Sequence, residues 1–202
     1  MKYIFFLIFT VTLSVSSYSQ TRDINNLADS TRERLAFELA QIFALDQGIR
    51  DFHILKNYYG ELTKIMPAID SINFEKFVAF IKEYGYPTKS LLGEYFKYES
   101  VRMADVVMLL HNPRRLVKDS EIYQLFKNEV EKGRLSASLF AEALDKYYVF
   151  YEGKSLYNSQ FKKSPKLAVK GVLITDKHLS DSLRMDIGLP PLAEDEFIYE
   201  NK

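Results

Sequence analysis

A small group of polar residues lies near the end of the first predicted helix, on a face that is otherwise apolar. Successive helical residues are about 100° apart around the axis, which aligns the apolar residues of 35–43 in one arc. Asp46 and Arg50 fall within that arc, and Gln47 lies at its margin. A charge on a core-facing surface is costly unless it is paired. An acid four residues before a base allows an ion pair within one helix.

Two interpretations of this cluster stay open. In the functional one, the cluster faces a cleft in which Asp46 accepts hydrogen bonds, Arg50 binds an anionic or carbonyl group, and Gln47 orients that group. In the structural one, Asp46 and Arg50 form a buried ion pair that ties the helix to its neighbours.

His111 is the candidate for acid–base chemistry. It follows the apolar residues 106–110 and ends a predicted helix, where the helix dipole favours a positive imidazolium. Histidine titrates near neutral pH and therefore serves as a general acid or base. His111 and Asp46 are the catalytic candidates, with Asp46 orienting the ring. The alternative is that His111 is a capping or core residue.

The sequence contains no other recognisable catalytic or metal-binding motif. His53, His111 and His178 are far apart and form no paired-histidine helix motif, so we expect no metal site. No nucleophile elbow, phosphate-cradling loop or dinucleotide fingerprint is present, and we expect no cofactor.

Hydrophobic periodicity and helix-capping residues predict the elements that must position these side chains. We expect helices over residues 30–57, 73–84, 94–111, 120–133, 136–152 and 179–187, with Asp70 or Ser71 capping the second. Short β-leaning stretches at 155–161 and 170–175 indicate a hairpin. The predicted fold is therefore mainly α (α+β): a single domain over residues 20–202, with five to six helices and a small C-terminal β-hairpin.

Residues 1–19 have the layout of a cleavable signal peptide. Lys2 precedes an apolar run that reaches about Val15, and Ser17 and Ser19 supply small residues before Gln20. The run is shorter than the roughly 20 residues that a membrane-spanning helix needs. The alternatives are an uncleaved N-terminal anchor and a buried first helix.

The composition of the remaining chain predicts a free, exported protein. Cleavage would remove one of the 27 basic residues, leaving 26 against 27 acidic ones. That balance gives no general attraction to nucleic acid or to an anionic membrane. The sequence has no cysteine, so it has neither a disulfide nor a cysteine for lipid attachment. We expect the product in the periplasm or outside the cell.

Several short motifs, taken in order, resemble a bacterial family of uncharacterised proteins, domain-of-unknown-function family 6624. The matching segments span residues 35–192 and are Asp46-Gln47-Gly48-Ile49-Arg50, Gly85-Tyr86-Pro87-Thr88, Leu110-His111, Gly153-Lys154, Tyr157-Asn158-Ser159-Gln160, and Arg184 with Gly188-Leu189. The family pattern has Trp, Gln and Gly where this chain has Tyr86, Leu110 and Asn158, so the chain looks like a divergent member. The resemblance implies that Tyr157 and Gln160 belong with the residues above, and it supplies no activity.

The favoured hypothesis is a binding or interaction protein. Its polar cleft would use the candidate binding residues Asp46, Gln47, Arg50, His111, Tyr157 and Gln160. The ligand would be a small polar molecule, a peptide or a glycan. The alternative is an extracytoplasmic hydrolase-like enzyme in which His111 acts as the general base, Asp46 orients it and Arg50 stabilises negative charge.

Overall fold

A computed structural model of the chain describes residues 27–159 and 176–193, most of which are helical. The mainly α fold is therefore confirmed, and no helix in the described ranges is both long and apolar enough to cross a bilayer. The helices are α1 (Asp29–Gly48), α2 (Phe52–Tyr84), α3 (Lys89–Leu92), α4 (Glu99–Arg102), α5 (Ala104–His111), α6 (Pro113–Lys118), α7 (Ser120–Glu131), α8 (Ala137–Glu152) and α9 (Lys177–Asp186), with a 3₁₀ turn at Gly93–Lys97.

The predicted C-terminal β-hairpin is not seen. Residues 155–159 form an irregular loop after α8, and residues 160–175 lie outside the described ranges. The loop begins at Gly153, whose left-handed backbone (φ 65°) ends α8. The Asp145 carboxylate then accepts hydrogen bonds from three backbone N–H groups of the loop. Because those donors are occupied, they are not available for pairing with a second strand.

The first two predicted helices have different boundaries in the structure. α1 ends at Gly48 rather than near residue 57, because Asp51 caps a new helix by accepting from two backbone N–H groups. This second helix, α2, then continues to Tyr84, with a kink at Tyr58. Asp70 therefore lies inside α2 and does not cap a helix, which leaves its carboxylate available to a neighbouring helix.

The predicted third helix is three short elements. The 3₁₀ turn, α4 and α5 replace one continuous helix over 94–111, with breaks at Tyr98, whose backbone is extended, and at Met103. α5 ends at His111, and Pro113 opens α6 from its first position. Proline fits there because the first helical N–H has no partner within the helix.

The core places α5 between α1 and α8. α1 packs on α2, α4 and α5, while α8 packs on α5, α6 and α7. Phe74 and Phe77 of α2 meet Phe126 of α7, with ring centroids 6.0 and 6.2 Å apart. This packing brings the C-terminal end of α5, which carries His111, next to the C-terminal part of α1 and to α8.

Candidate functional site

Asp46 and His111 meet where α1 and α5 pack together. The Asp46 side chain is fully buried, and its Oδ1 lies 2.7 Å from Nδ1 of His111. Gln47 donates to the other carboxylate oxygen at 2.7 Å. An ionised carboxylate only accepts hydrogen bonds, so Nδ1 must carry the proton. In the neutral form of the ring, Nε2 is then the acceptor, on the edge turned away from Asp46.

Arg50 joins two carboxylates from different helices. One terminal nitrogen donates to Oδ1 and to the backbone carbonyl of Asp46, both at 3.0 Å. The other donates to the two oxygens of Asp70 at 2.9 and 2.8 Å. Both ends of the guanidinium fork are therefore occupied by protein groups. This arrangement matches the structural interpretation of the Asp46–Arg50 pair and extends it to Asp70 of α2.

A cavity of about 330 Å³ opens beside this network, and we call it the His111 cavity. Its walls include Arg50, His111, Lys146, Phe150 and Tyr151. About 22% of the His111 side chain is exposed, whereas Asp46 is fully buried. Since Nδ1 is turned toward Asp46, the exposed edge of the ring is the one that carries Nε2.

Lys146 of α8 brings a second polar group to the His111 cavity. Burial, followed by the nearby charge of Arg50, lowers the pKa of Lys146 below its ordinary value. Its ammonium lies 6.0 Å from the ring centroid of Phe150. Phe150 and Tyr151 are 73% and 60% exposed, so they form an apolar wall that the core does not cover.

A larger groove, about 710 Å³, runs along α1 and α2. Ile42, Leu45, Ala79 and Phe80 line it, and it includes none of the residues predicted to form a site. We therefore place the candidate site at the smaller His111 cavity, where the acid–base groups converge.

Tyr157 lies in a different environment. Its side chain is buried, its ring packs on Tyr148 with centroids 6.5 Å apart, and its carbonyl accepts a hydrogen bond from Arg184. Burial, with the neighbouring Tyr123, raises the pKa of Tyr157 far above its ordinary value. Tyr157 does not line the His111 cavity. Gln160 lies outside the described residues.

From the sequence we did not expect three polar residues, which the structure makes prominent, to belong near the site or to a buried network. Asp70 and Lys146 complete the surroundings of Arg50, and the buried Asp145 accepts from the hydroxyls of Ser155 and Ser159 as well as from the loop backbone. Their partners are 10 or more residues away in the sequence, so local sequence patterns do not indicate these contacts. The available signal was that Asp145 and Lys146 interrupt the apolar run 143–151.

Comparisons with known proteins provide no family assignment. No protein-family model matches the chain, and no curated protein or solved structure is significantly similar to it. The resemblance to family 6624 therefore stays a prediction. Within residues 27–159 and 176–193, no group of three or more His, Asp or Glu side chains is arranged to hold a metal ion.

Proposed function

We propose that the chain binds a small polar ligand in the His111 cavity, through hydrogen bonds to His111 Nε2 and Lys146 Nζ. One observation carries this proposal: an imidazole anchored at one nitrogen and an ammonium without a carboxylate partner in the described residues line the same cavity. Polar groups that converge on a partly apolar cavity are typical of ligand sites.

We infer different roles for the predicted residues from the hydrogen bonds within the network. Arg50 already donates to Asp46 and Asp70, so it supports the site rather than holding the ligand. Asp46 and Gln47 likewise act on the orientation of His111. A ligand in the His111 cavity would touch His111 and Lys146, with its apolar part against Phe150 or Tyr151.

A hydrolase-like activity is the second candidate, and the 2.7 Å contact between Asp46 and His111 favours it. A general base needs an orienting partner at hydrogen-bond distance, which Asp46 supplies. His111 Nε2 would take a proton from water as the water attacks the substrate. Lys146, rather than Arg50, would then stabilise the developing negative charge.

The substitution His111→Asn tests ligand binding without disturbing the network. The asparagine amide nitrogen lies close to the position of Nδ1, so it can still donate to Asp46, whereas Nε2 is lost. His178→Asn, on the exposed side of α9, is the matched control. We would measure thermal unfolding with acetate, phosphate, glucuronate and benzyl alcohol as probes.

At least one probe should stabilise the wild-type chain and the His178→Asn control but not His111→Asn. A ligand at about ten times its Kd stabilises by about 1.4 kcal/mol, which raises Tm by roughly 3–6 °C. If every probe shifted all three proteins equally, or shifted none of them, ligand binding in the His111 cavity would be wrong.

A further inference from the structure

Lys146 differs from the paired lysines elsewhere in the structure. Lysines 127, 154 and 177 each lie within 2.9 Å of a carboxylate oxygen, from Asp186, Glu152 and Asp181. No carboxylate of the described residues lies within ion-pair distance of Lys146, although it is half-buried in the wall of a cavity. An amine that is not held by an acid is free to react.

Burial and the charge of Arg50 lower the pKa of Lys146 from its ordinary value. Burial is the main cause of its lowered pKa, and Arg50 at the end of α1 adds to it. Asp46, Glu142 and Asp70 act in the opposite direction, but Asp46 and Asp70 already bind Arg50. A desolvated lysine beside another cation is the usual setting for an amine nucleophile, because only the neutral amine attacks.

We propose that the His111 cavity takes a small aldehyde or ketone, and that Lys146 condenses with its carbonyl carbon to form an imine. This inference rests on the proposed binding function of the cavity. His111 lines the same cavity with Nδ1 bound to Asp46, so the cavity holds a proton carrier as well as the amine. The lining includes no Ser, Thr or Cys among the described residues, so Lys146 is the strongest nucleophile there.

The condensation needs no further reactant. The lone pair of Lys146 Nζ forms the C–N bond while the carbonyl π electrons move to oxygen, giving a positive nitrogen and an alkoxide. His111 Nε2 accepts one proton from the nitrogen and returns it to the alkoxide, which gives a neutral carbinolamine. Nε2 then carries the second nitrogen proton to the hydroxyl oxygen as the C–O bond breaks, water leaves, and the nitrogen lone pair forms the C=N bond. His111 ends in its starting state.

The exposed aromatic side chains of the cavity indicate which kind of group should be attached to the carbonyl carbon. Phe150 and Tyr151 offer apolar surface beside Lys146, and neither is covered by the rest of the described chain. An aromatic or apolar group next to the carbonyl would pack against these rings, with centroids about 4.5–7 Å apart. Benzaldehyde is therefore a suitable probe.

The experiment treats the whole chain with benzaldehyde and sodium cyanoborohydride at pH 7, which reduces an imine to a stable amine. Peptide mass spectrometry then gives the labelling rate of each lysine. Lys146 should be labelled at least several times faster than the exposed Lys89 and Lys97, and its rate should saturate with benzaldehyde concentration. Each unit by which a pKa falls raises the neutral fraction about tenfold.

Three variants distinguish imine formation in a binding site from the general reactivity of a lysine side chain. Lys146→Met should lose the fast label, and Lys89→Arg, the control, should keep it. His111→Asn should slow labelling severalfold with an unchanged Tm, because the proton carrier is lost while the bond to Asp46 is kept. A rate at Lys146 no faster than at Lys89, or one that rises linearly without saturation, would overturn the inference.

Benzyl alcohol distinguishes failure of this inference from failure of the proposed function. It has the same ring but no carbonyl group and so forms no imine. If benzyl alcohol stabilised the wild-type chain and not His111→Asn, while Lys146 was labelled no faster than Lys89, the cavity would bind ligands without imine chemistry. If neither compound bound, both proposals would be wrong.

Discussion

Replacing Arg50 by methionine tests whether the network around Asp46 holds the fold together. The substitution keeps much of the apolar stem and removes four hydrogen bonds, two to Asp46 and two to Asp70. Asp46 is fully buried, so its carboxylate would keep only the Gln47 amide and the His111 ring as side-chain hydrogen-bond partners. α1 and α2 would also lose the connection through Asp70.

The expected cost follows from the burial of the three groups. Removing one partner of a buried ion pair costs about 3–5 kcal/mol, because the other charge stays buried. The side chains of Arg50 and Asp70 are 21% and 15% exposed, so water screens them in part and the lower value, about 3 kcal/mol, applies. For a chain of this size that loss lowers Tm by roughly 6–12 °C.

Urea unfolding followed by circular dichroism at 222 nm measures this free energy, and calorimetry gives Tm. The matched control is Arg102→Met, an exposed arginine of α4, which should change stability by less than about 0.5 kcal/mol. Adding Asp46→Asn to Arg50→Met should recover part of the loss, because the unpaired buried charge is gone. If Arg50→Met cost less than about 1 kcal/mol, the network would not be a structural tie and our reasoning would be refuted.

Two further predictions concern the loop after α8 and the N-terminus. Asp145→Ala leaves three loop N–H groups without their acceptor, and each unpaired group costs about 1–3 kcal/mol. We therefore expect faster amide hydrogen exchange at residues 155–159. Unchanged exchange would contradict the role of Asp145 in holding the loop. Residues 1–19 should direct export, with cleavage after Ser19. N-terminal sequencing of the exported protein should therefore begin at Gln20. An exported product that retained Met1 would contradict cleavage.

Local sequence patterns predicted the helical class and several helix ends. Ser136 caps α8 and Gly153 ends it, and Asp119 caps α7, as the residue types indicate. The predicted helix boundaries were wrong where a local sequence signal could be interpreted in two ways. Asp51 is a good capping residue, but the apolar pattern continues past it, so we expected one helix where the structure has two.

The site was predictable only as far as its contacts are local. Asp46 and Arg50 are four residues apart on one helix, so their pairing follows from helical geometry. Asp70 is 20 residues from Arg50, and Lys146 lies on α8, more than 90 residues away. Their approach depends on how α1, α2 and α8 pack around α5, which residue spacing does not encode.

The charges of the network bear on which ligand fits the His111 cavity. Asp46 and Asp70 contribute two negative charges and Arg50 one positive charge, so the group carries one negative charge when the Lys146 amine and the His111 ring are both neutral. An anionic ligand would be favoured after His111 gained a proton, which would also occupy its exposed nitrogen. A neutral carbonyl compound needs no such change, because its oxygen only accepts hydrogen bonds and leaves Nε2 free to take a proton from the Lys146 amine. The balance of charge therefore favours an aldehyde or ketone over an anion as the partner of Lys146.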